Sequence, residues 1–276
     1  MSDKTISRRN FLAGAGAVMG LAVAPSVLSR PEVAEAAASK DFPWSYTVLD
    51  ADKVARRAYE TYYSSGCMEA TWWPIVEALA ASSIPDAATT WGTVTKNMMK
   101  YGGGGVGGWG TLCGTLNGSC AVMGAIGAPS KMIDEQMQHY ANTPIPSRGV
   151  ENSIAAGWVP AGTNVPAAPL VNVMTSTAHS QLCHASLSQW TMKTGVADGT
   201  IQQKDRCGKA CYDMVFKAVT MLNAWKTSGI IPAGTLDHTI ADCQTACHTT
   251  PIAKGKMACD SCHDEEAGAH GDGWGH

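Results

Sequence analysis

Phenylalanine and charged residues are both scarce in this sequence. Only 3 of the 276 residues are Phe, against 9 Trp and 29 Gly, so large apolar contacts must come from Trp, Leu, Val and Met packed closely on small residues. Charged residues make up 16% of the chain and the net charge is −3. Because nucleic-acid binding depends on clustered positive charge, we expect no nucleic-acid partner.

Long hydrophobic runs and strand patterns are also missing. Beyond the N-terminal leader, no stretch approaches the roughly 18 consecutive apolar residues of a membrane-spanning helix, so we expect no membrane span in the mature chain. No series of alternating apolar and polar residues predicts a sheet. The fold is therefore expected to be mainly α.

Four of the ten cysteines lie in two motifs near the C-terminus. Residues 259–263 (CDSCH) form a C-x-x-C-H sequence, which is typical of c-type haem attachment, and residues 243–248 (CQTACH) repeat it with one more residue between the cysteines. In such motifs the two thiols bond to the haem and the adjacent imidazole binds its iron. The motifs predict two haem c groups per chain, attached through Cys243, Cys247, Cys259 and Cys262, with His248 and His263 as the proximal ligands.

A single zinc site built from both motifs is the alternative. Zinc fingers keep their Cys pair and their His pair apart in sequence, whereas here each Cys pair has its own His, and this favours two haems. We therefore expect a small C-terminal haem-binding segment of little regular structure over residues 235–276.

The N-terminal residues have the features of an export signal. Arg8 and Arg9 precede a weakly apolar segment rich in Gly and Ala, and small residues suited to cleavage follow at 34–38. We predict a twin-arginine signal peptide over residues 1–38 and a periplasmic mature protein. This route exports folded proteins, often with a cofactor in place, whereas c-type haems are attached after export. A second metal centre is therefore expected.

Six cysteines remain outside the haem motifs: Cys67, Cys113, Cys120, Cys183, Cys207 and Cys211. Three disulfide bonds would explain them in an exported protein. However, Cys207 and Cys211 lie one helical turn apart, where they suit a shared metal centre better than a disulfide. An iron–sulfur cluster takes about four thiolates, and Cys113, Cys120, Cys183, Cys207 and Cys211 are the candidates. Cys67 is expected to be an ordinary buried residue, and the choice between cluster and disulfides stays open here.

Residues 39–234 are expected to form a helical, Cys-rich domain. Helical spacing of apolar residues predicts helices within 53–81, 89–101, 111–124, 180–192 and 201–227, while the proline-rich segment 142–170 predicts a long irregular excursion. The Gly-rich run 102–110 is either a loop wrapped against a cofactor or a tight turn. A phosphate-binding loop is excluded because no Gly-Lys-Ser/Thr follows.

Several of these segments resemble a known family. Residues 180–190 (SQLCHASLSQW) and 206–211 (RCGKAC), with the Gly-rich run and Cys113-Gly114, are similar to the family with a C, GCAxxG, C, C pattern. With the leader and the haem motifs, the whole mature chain resembles the split-Soret cytochrome c family. The resemblance implies a periplasmic homodimer with two stacked c-type haems per subunit and two His ligands per iron, one from the partner subunit. It also implies a labile iron–sulfur centre, although Thr191 stands where relatives often carry a further Cys.

The distal haem ligands are sought among the remaining histidines. His238 and His179 are the first candidates and His184 is the third. An iron with two imidazole ligands has no open position for a substrate, so we expect an electron carrier that exchanges electrons with redox partner proteins rather than an enzyme. The alternatives are a small periplasmic haem reductase with an open iron site and a thiol-based redox sensor.

Overall fold

Helices form most of the structure, a computed structural model that describes residues 41–166, 174–234, 236, 240, 256 and 257. In these ranges the α-helices are α1 Ala51–Ser65, α2 Cys67–Ala80, α3 Gly114–Ala125, α4 Ser130–Asn142, α5 Gly149–Ala155, α6 Cys183–Thr194 and α7 Ile201–Ser228. The same ranges contain no β-strand, only the isolated bridges Leu112–Leu182 and Ile145–Ser176. The prediction of a mainly α fold is confirmed.

The described residues belong to one compact unit, Ser39–His276. The predicted signal peptide lies outside the described residues, as does the haem segment apart from residues 236, 240, 256 and 257. Among the helices that the structure describes, none has the length and apolar character needed to cross a membrane.

Helix α7 is the longest element, and its ends are set by sequence. The Thr200 side chain accepts a hydrogen bond from the backbone N–H of Gln203, which caps the first turn, and Gly229 ends the helix in a left-handed conformation with φ 66°. The predicted helix over 201–227 is therefore confirmed. Packed against α1 to α5, this helix carries Val215 and Leu222 into the main core beside Tyr59 and Ile75.

Helices α2 and α3 pack closely through glycines on one face of α3. A Cβ atom on Gly118 would overlap the carbonyl oxygen of Met68 and the Oγ1 of Thr71, and a Cβ atom on Gly114 would overlap the Sγ of Cys67. The close approach of this small-residue helix to α2 therefore depends on its glycines. The contact brings the first residue of α2 against the first turn of α3.

The predicted helix over 89–101 is wrong. This segment forms three short 3-10 turns, Ala87–Thr89, Trp91–Thr93 and Lys100–Gly102. The buried Glu69 carboxylate accepts hydrogen bonds from the backbone N–H of Asn97, at 2.7 Å, and of Met99, at 2.9 Å. Because the carboxylate satisfies these donors, the segment does not need the carbonyl partners of an α-helix.

Other departures from the sequence-based expectation are smaller. The segment 53–81 forms two helices, α1 and α2, which are separated at Gly66. The proline-rich excursion contains the short helix α5, and sequence reasoning did not predict α4. Both α4 and α5 contact α7.

Alanine substitutions at two glycines of α3 test the close packing. Gly118→Ala is expected to lower the free energy of unfolding by about 1–3 kcal/mol, because the new Cβ overlaps α2. Gly124→Ala is the matched control, since nothing lies within 4 Å of its Cβ position, and it should be neutral or stabilising by up to about 1 kcal/mol. Urea unfolding followed by circular dichroism measures both values. Equal effects at the two positions would contradict the packing.

Candidate functional site

A cavity of about 890 Å³ is the candidate functional site. It lies among the start of α2, the Gly-rich loop, α6 and the first half of α7. Four cysteines line it: Cys67, Cys113, Cys183 and Cys207. None of the six cysteines in the described ranges is in a disulfide bond.

Three of the four cavity cysteines lie at helix N-termini. Cys67 is the first residue of α2, Cys113 immediately precedes α3, and Cys183 is the first residue of α6. A helix N-terminus carries unpaired backbone N–H groups and the positive end of the helix dipole, so it favours negative charge and stabilises a thiolate. The helix N-termini therefore act in favour of anionic sulfur, and burial acts against it.

The Gly-rich loop brings two of these N-termini together. Its residues 104–108 and 110 all have positive φ, and the backbone N–H groups of Gly110 and Thr111 donate to the carbonyl groups of Gly104 and Gly105. At the end of the loop, Thr111 accepts from the N–H of Cys183 at 2.8 Å, and Cys113 donates its N–H to the carbonyl of Gln181 at 3.0 Å. The loop thus wraps the cavity and fixes Cys183 beside Cys113.

The Cys113 thiol is made more acidic by its neighbours. Hydrogen bonding from the Cys183 thiol lowers the pKa of Cys113 to about 6, although burial opposes the shift, and the Thr115 hydroxyl, 3.2 Å away, also donates. The same hydrogen bond, together with burial, raises the pKa of Cys183. The hydrogen bond therefore favours the thiolate form at Cys113 and the thiol form at Cys183.

The other two cavity thiols have different surroundings. Burial, reinforced by the charges of Cys113 and Cys207, raises the pKa of Cys67 to about 12. Cys207 is half-buried, and its sulfur accepts a hydrogen bond from the Gln203 side-chain amide at 3.1 Å. The Arg206 guanidinium is 3.9 Å from the same sulfur.

Two of the predicted cluster ligands do not line the cavity. Cys120 follows Cys113 by seven residues, which puts it roughly 10 Å further along α3, and burial raises its pKa to about 12. Cys211 is fully buried one turn beyond Cys207, with its sulfur 3.9 Å from the carbonyl oxygen of Cys67. Helical spacing predicts which cysteines share a face of one helix. It does not predict how far the cavity extends along that face.

Cys67 is the cavity cysteine that sequence reasoning missed. It was expected to be an ordinary buried residue, and it is buried, but it also lines the cavity. Its position directly after Gly66, at the start of a helix, was the available signal, because a helix N-terminus is a common environment for a functional thiolate.

The donor set fits an iron–sulfur centre by type and by number. Such centres are held by Cys thiolates, commonly four, and four thiols share this cavity. In the described part of the chain, no three Cys, His, Asp or Glu side chains already surround a common point at metal-binding distance. Binding a cluster therefore requires the four sulfurs to move toward one another.

The structure describes two of the three candidate distal haem ligands. His184 is exposed and lines the cavity, whereas His179 is exposed four residues before α6. His238 lies outside the described residues. So do the two motifs with all six of their predicted haem-binding residues, Cys243, Cys247, His248, Cys259, Cys262 and His263.

Two described residues lie just before the second haem motif. The Lys256 ammonium forms an ion pair with Asp134 of α4 at 2.9 Å, and the Met257 sulfur is 4.0 Å from the Ser180 hydroxyl. Met257 precedes Cys259 by two residues, and Ser180 precedes Cys183 by three. The chain that leads to this motif therefore passes beside the segment that carries a cavity cysteine.

This chain is similar to split-Soret cytochrome c from Desulfovibrio desulfuricans, both as a curated sequence and as a solved structure. A curated sequence is 26% identical to this chain over 95% of its length and 96% of the relative. A solved structure, reported as a novel iron centre in that cytochrome, matches 80% of this chain and 90% of its own with a TM-score of 0.64 and 24% identity. The structural match shows a common fold, and the predicted resemblance is confirmed.

A family described as "Putative redox-active protein (C_GCAxxG_C_C)" matches residues 78–225. The matched region is more than half of the chain and contains Cys113, Cys183 and Cys207, but it begins after Cys67. The chain therefore belongs to the C_GCAxxG_C_C family of redox-active proteins, and over nearly its whole length it is similar to split-Soret cytochrome c.

Proposed function

We propose that this protein is a periplasmic electron carrier with two covalently bound c-type haems per chain and an iron–sulfur centre in the thiol-lined cavity. One observation carries the proposal: four thiols meet at one cavity, three of them at helix N-termini, in a chain that also has two haem-attachment motifs. The novel iron centre reported for the similar cytochrome supports it.

Cys67, Cys113, Cys183 and Cys207 would hold the iron–sulfur centre as thiolates. A centre bound there would accept and release single electrons. The helix N-termini lower the free energy of the anionic sulfurs, and the lowered pKa of Cys113 favours the thiolate that iron binds. The backbone of the Gly-rich loop covers one side of the cavity at Gly104, Gly108 and Gly110.

The two haems would be attached at Cys243 and Cys247 and at Cys259 and Cys262, with His248 and His263 as proximal ligands. His238, His179 and His184 are the distal candidates, and a homodimer in which the partner subunit supplies one ligand follows from the family resemblance. The contacts of Lys256 and Met257 support a short path between the second haem and the cavity.

A cysteine-to-serine series tests the iron–sulfur centre. Serine at Cys67, Cys113, Cys183 or Cys207 is expected to abolish or strongly reduce non-haem iron and acid-labile sulfide, because each change removes one thiolate ligand. Cys120→Ser is the matched control, being a half-buried cysteine outside the cavity, and should retain the parent content. Iron and sulfide analysis of anaerobically purified protein gives the result. Parent levels of non-haem iron and sulfide in the four cavity variants would contradict the assignment of these cysteines as ligands.

Mass spectrometry of the denatured chain tests the haem motifs. Covalent haem survives denaturation, so the chain should carry two haem adducts. The double variant Cys243→Ser with Cys247→Ser should carry one, and Cys259→Ser with Cys262→Ser should also carry one. A single adduct on the parent chain would show that one motif is not a haem site.

A thiol-based redox function is the second candidate, and the Cys113–Cys183 pair favours it. A thiolate hydrogen-bonded to a thiol is the arrangement from which a disulfide forms when a disulfide of a redox partner protein accepts the two electrons and the remaining proton is released. An oxidised pair could not bind a cluster through those sulfurs. The two functions therefore differ in the state of these two residues in purified protein.

The pH dependence of alkylation tests the Cys113 thiolate in iron-free protein. Because the pKa of Cys113 is lowered to about 6, its reaction with iodoacetamide should be near maximal at pH 7 and fall as the pH drops through about 6. Cys183→Ala removes the hydrogen-bond donor and should move the midpoint up toward the ordinary thiol range. Peptide mass spectrometry measures the rate at Cys113. A parent midpoint near pH 9 would exclude the thiolate.

A further inference from the structure

Arg206 is a buried cation without a carboxylate partner. Its side chain lines the cavity, and the residue is only 3% exposed. One guanidinium nitrogen, Nη2, donates to the Ser186 hydroxyl at 2.7 Å, Nη1 is 3.9 Å from the Cys207 sulfur, and Nε has no hydrogen-bond partner. Across the ranges that the structure describes, no Asp or Glu forms an ion pair with it.

Lys209 is a second buried cation on the same helix, and it has carboxylate partners. It is fully buried three residues further along α7, but its ammonium lies 2.6 Å from Glu151 and 2.9 Å from Asp205. Among the described residues, Asp213 of the same helix interacts electrostatically with Arg206 but is not at ion-pair distance from it. Because a buried charge that lacks a close counter-ion is strongly destabilising, Arg206 needs a nearer source of negative charge. The Cys207 sulfur, which lies 3.9 Å from the guanidinium on the cavity wall, can supply it.

We infer that Arg206 is the counter-cation of the cavity's iron–sulfur centre and acts through the Cys207 sulfur to raise the reduction potential of that centre. This inference rests on the proposed function. Reduction adds one electron, supplied by a haem or a redox partner, and no covalent bond is formed or broken. A fixed positive charge and a hydrogen-bond donor beside a ligating sulfur both favour the state with the extra electron.

Three substitutions in the full-length, haem-loaded protein test the role. Arg206→Gln removes the charge, Arg206→Lys keeps it, and Lys204→Gln removes an equal charge from an exposed position that also lines the cavity. Arg206→Gln should shift the one-electron equilibrium of the iron–sulfur centre at least tenfold toward the oxidised form, which is 59 mV in potential. Arg206→Lys and Lys204→Gln should shift it by clearly less, the latter because water screens an exposed charge.

A redox titration followed by electron paramagnetic resonance reads the iron–sulfur centre and the haems separately. The expected result is a lower potential for the iron–sulfur centre in Arg206→Gln with the haem potentials unchanged. Equal potentials in Arg206→Gln and Lys204→Gln, with iron bound in both, would overturn the inference alone. Absence of non-haem iron from the parent protein would overturn the proposed function and this inference with it.

Stability of the iron-free protein separates the electrostatic role from a structural one. Without thiolate-bound iron, the buried guanidinium has less compensation, so iron-free Arg206→Gln should melt at the same temperature as the iron-free parent or higher. Loaded Arg206→Gln should release iron to a chelator at least tenfold faster than the loaded parent. A large fall in the melting temperature of the iron-free variant would show that Arg206 is structural, against the inference.

A second variant is available if Arg206→Gln does not fold. Ser186→Ala removes the hydroxyl that orients the guanidinium and leaves the charge in place. It should lower the potential of the iron–sulfur centre in the same direction by a smaller amount. An unchanged potential in Ser186→Ala would then count against the inference.

Discussion

The close contact between α2 and α3 decides where the thiols lie. Gly114 and Gly118 have no side chains to separate the two helices, so the Cys67 sulfur lies directly against the first turn of α3. Cys113 precedes that turn, and its backbone N–H is tied to Gln181, which brings in the start of α6 with Cys183. One helix contact and a short stretch of backbone pairing thus gather three helix N-termini, each with its own cysteine.

Positive charge from several sources faces this cavity, and no carboxylate in the described ranges forms an ion pair with Arg206, although Asp198 also lines the cavity. The three helix N-termini contribute partial charges and Arg206 contributes a full one, whereas the other buried cation of α7, Lys209, is compensated by Asp205 and Glu151. The Cys113 thiolate supplies some of the missing negative charge before any metal binds. A cluster held by four thiolates would supply more negative charge, so the cysteine ligands would also compensate the buried guanidinium.

The sequence predicted best those features that depend on residues close to one another in the chain. The bounds of α7 follow from Thr200 and Gly229, which act within one turn of their own helix. The segment 89–101 was misjudged because its N–H groups bond to Glu69, about thirty residues away, and no local pattern reveals such a partner. Which cysteines line the cavity could not be predicted for the same reason, since the positions of Cys67 and Cys120 relative to it depend on how α2, α3, α6 and α7 pack.

The two proposed kinds of redox centre differ in how much folded structure they need. Each haem motif is five or six consecutive residues, so an attachment site exists as soon as that stretch of chain does. The four cavity cysteines span residues 67 to 207 and meet only when their helices have packed. A centre built in this way has to be loaded into a folded protein, which agrees with the proposed twin-arginine export of a folded chain and with haem attachment after export.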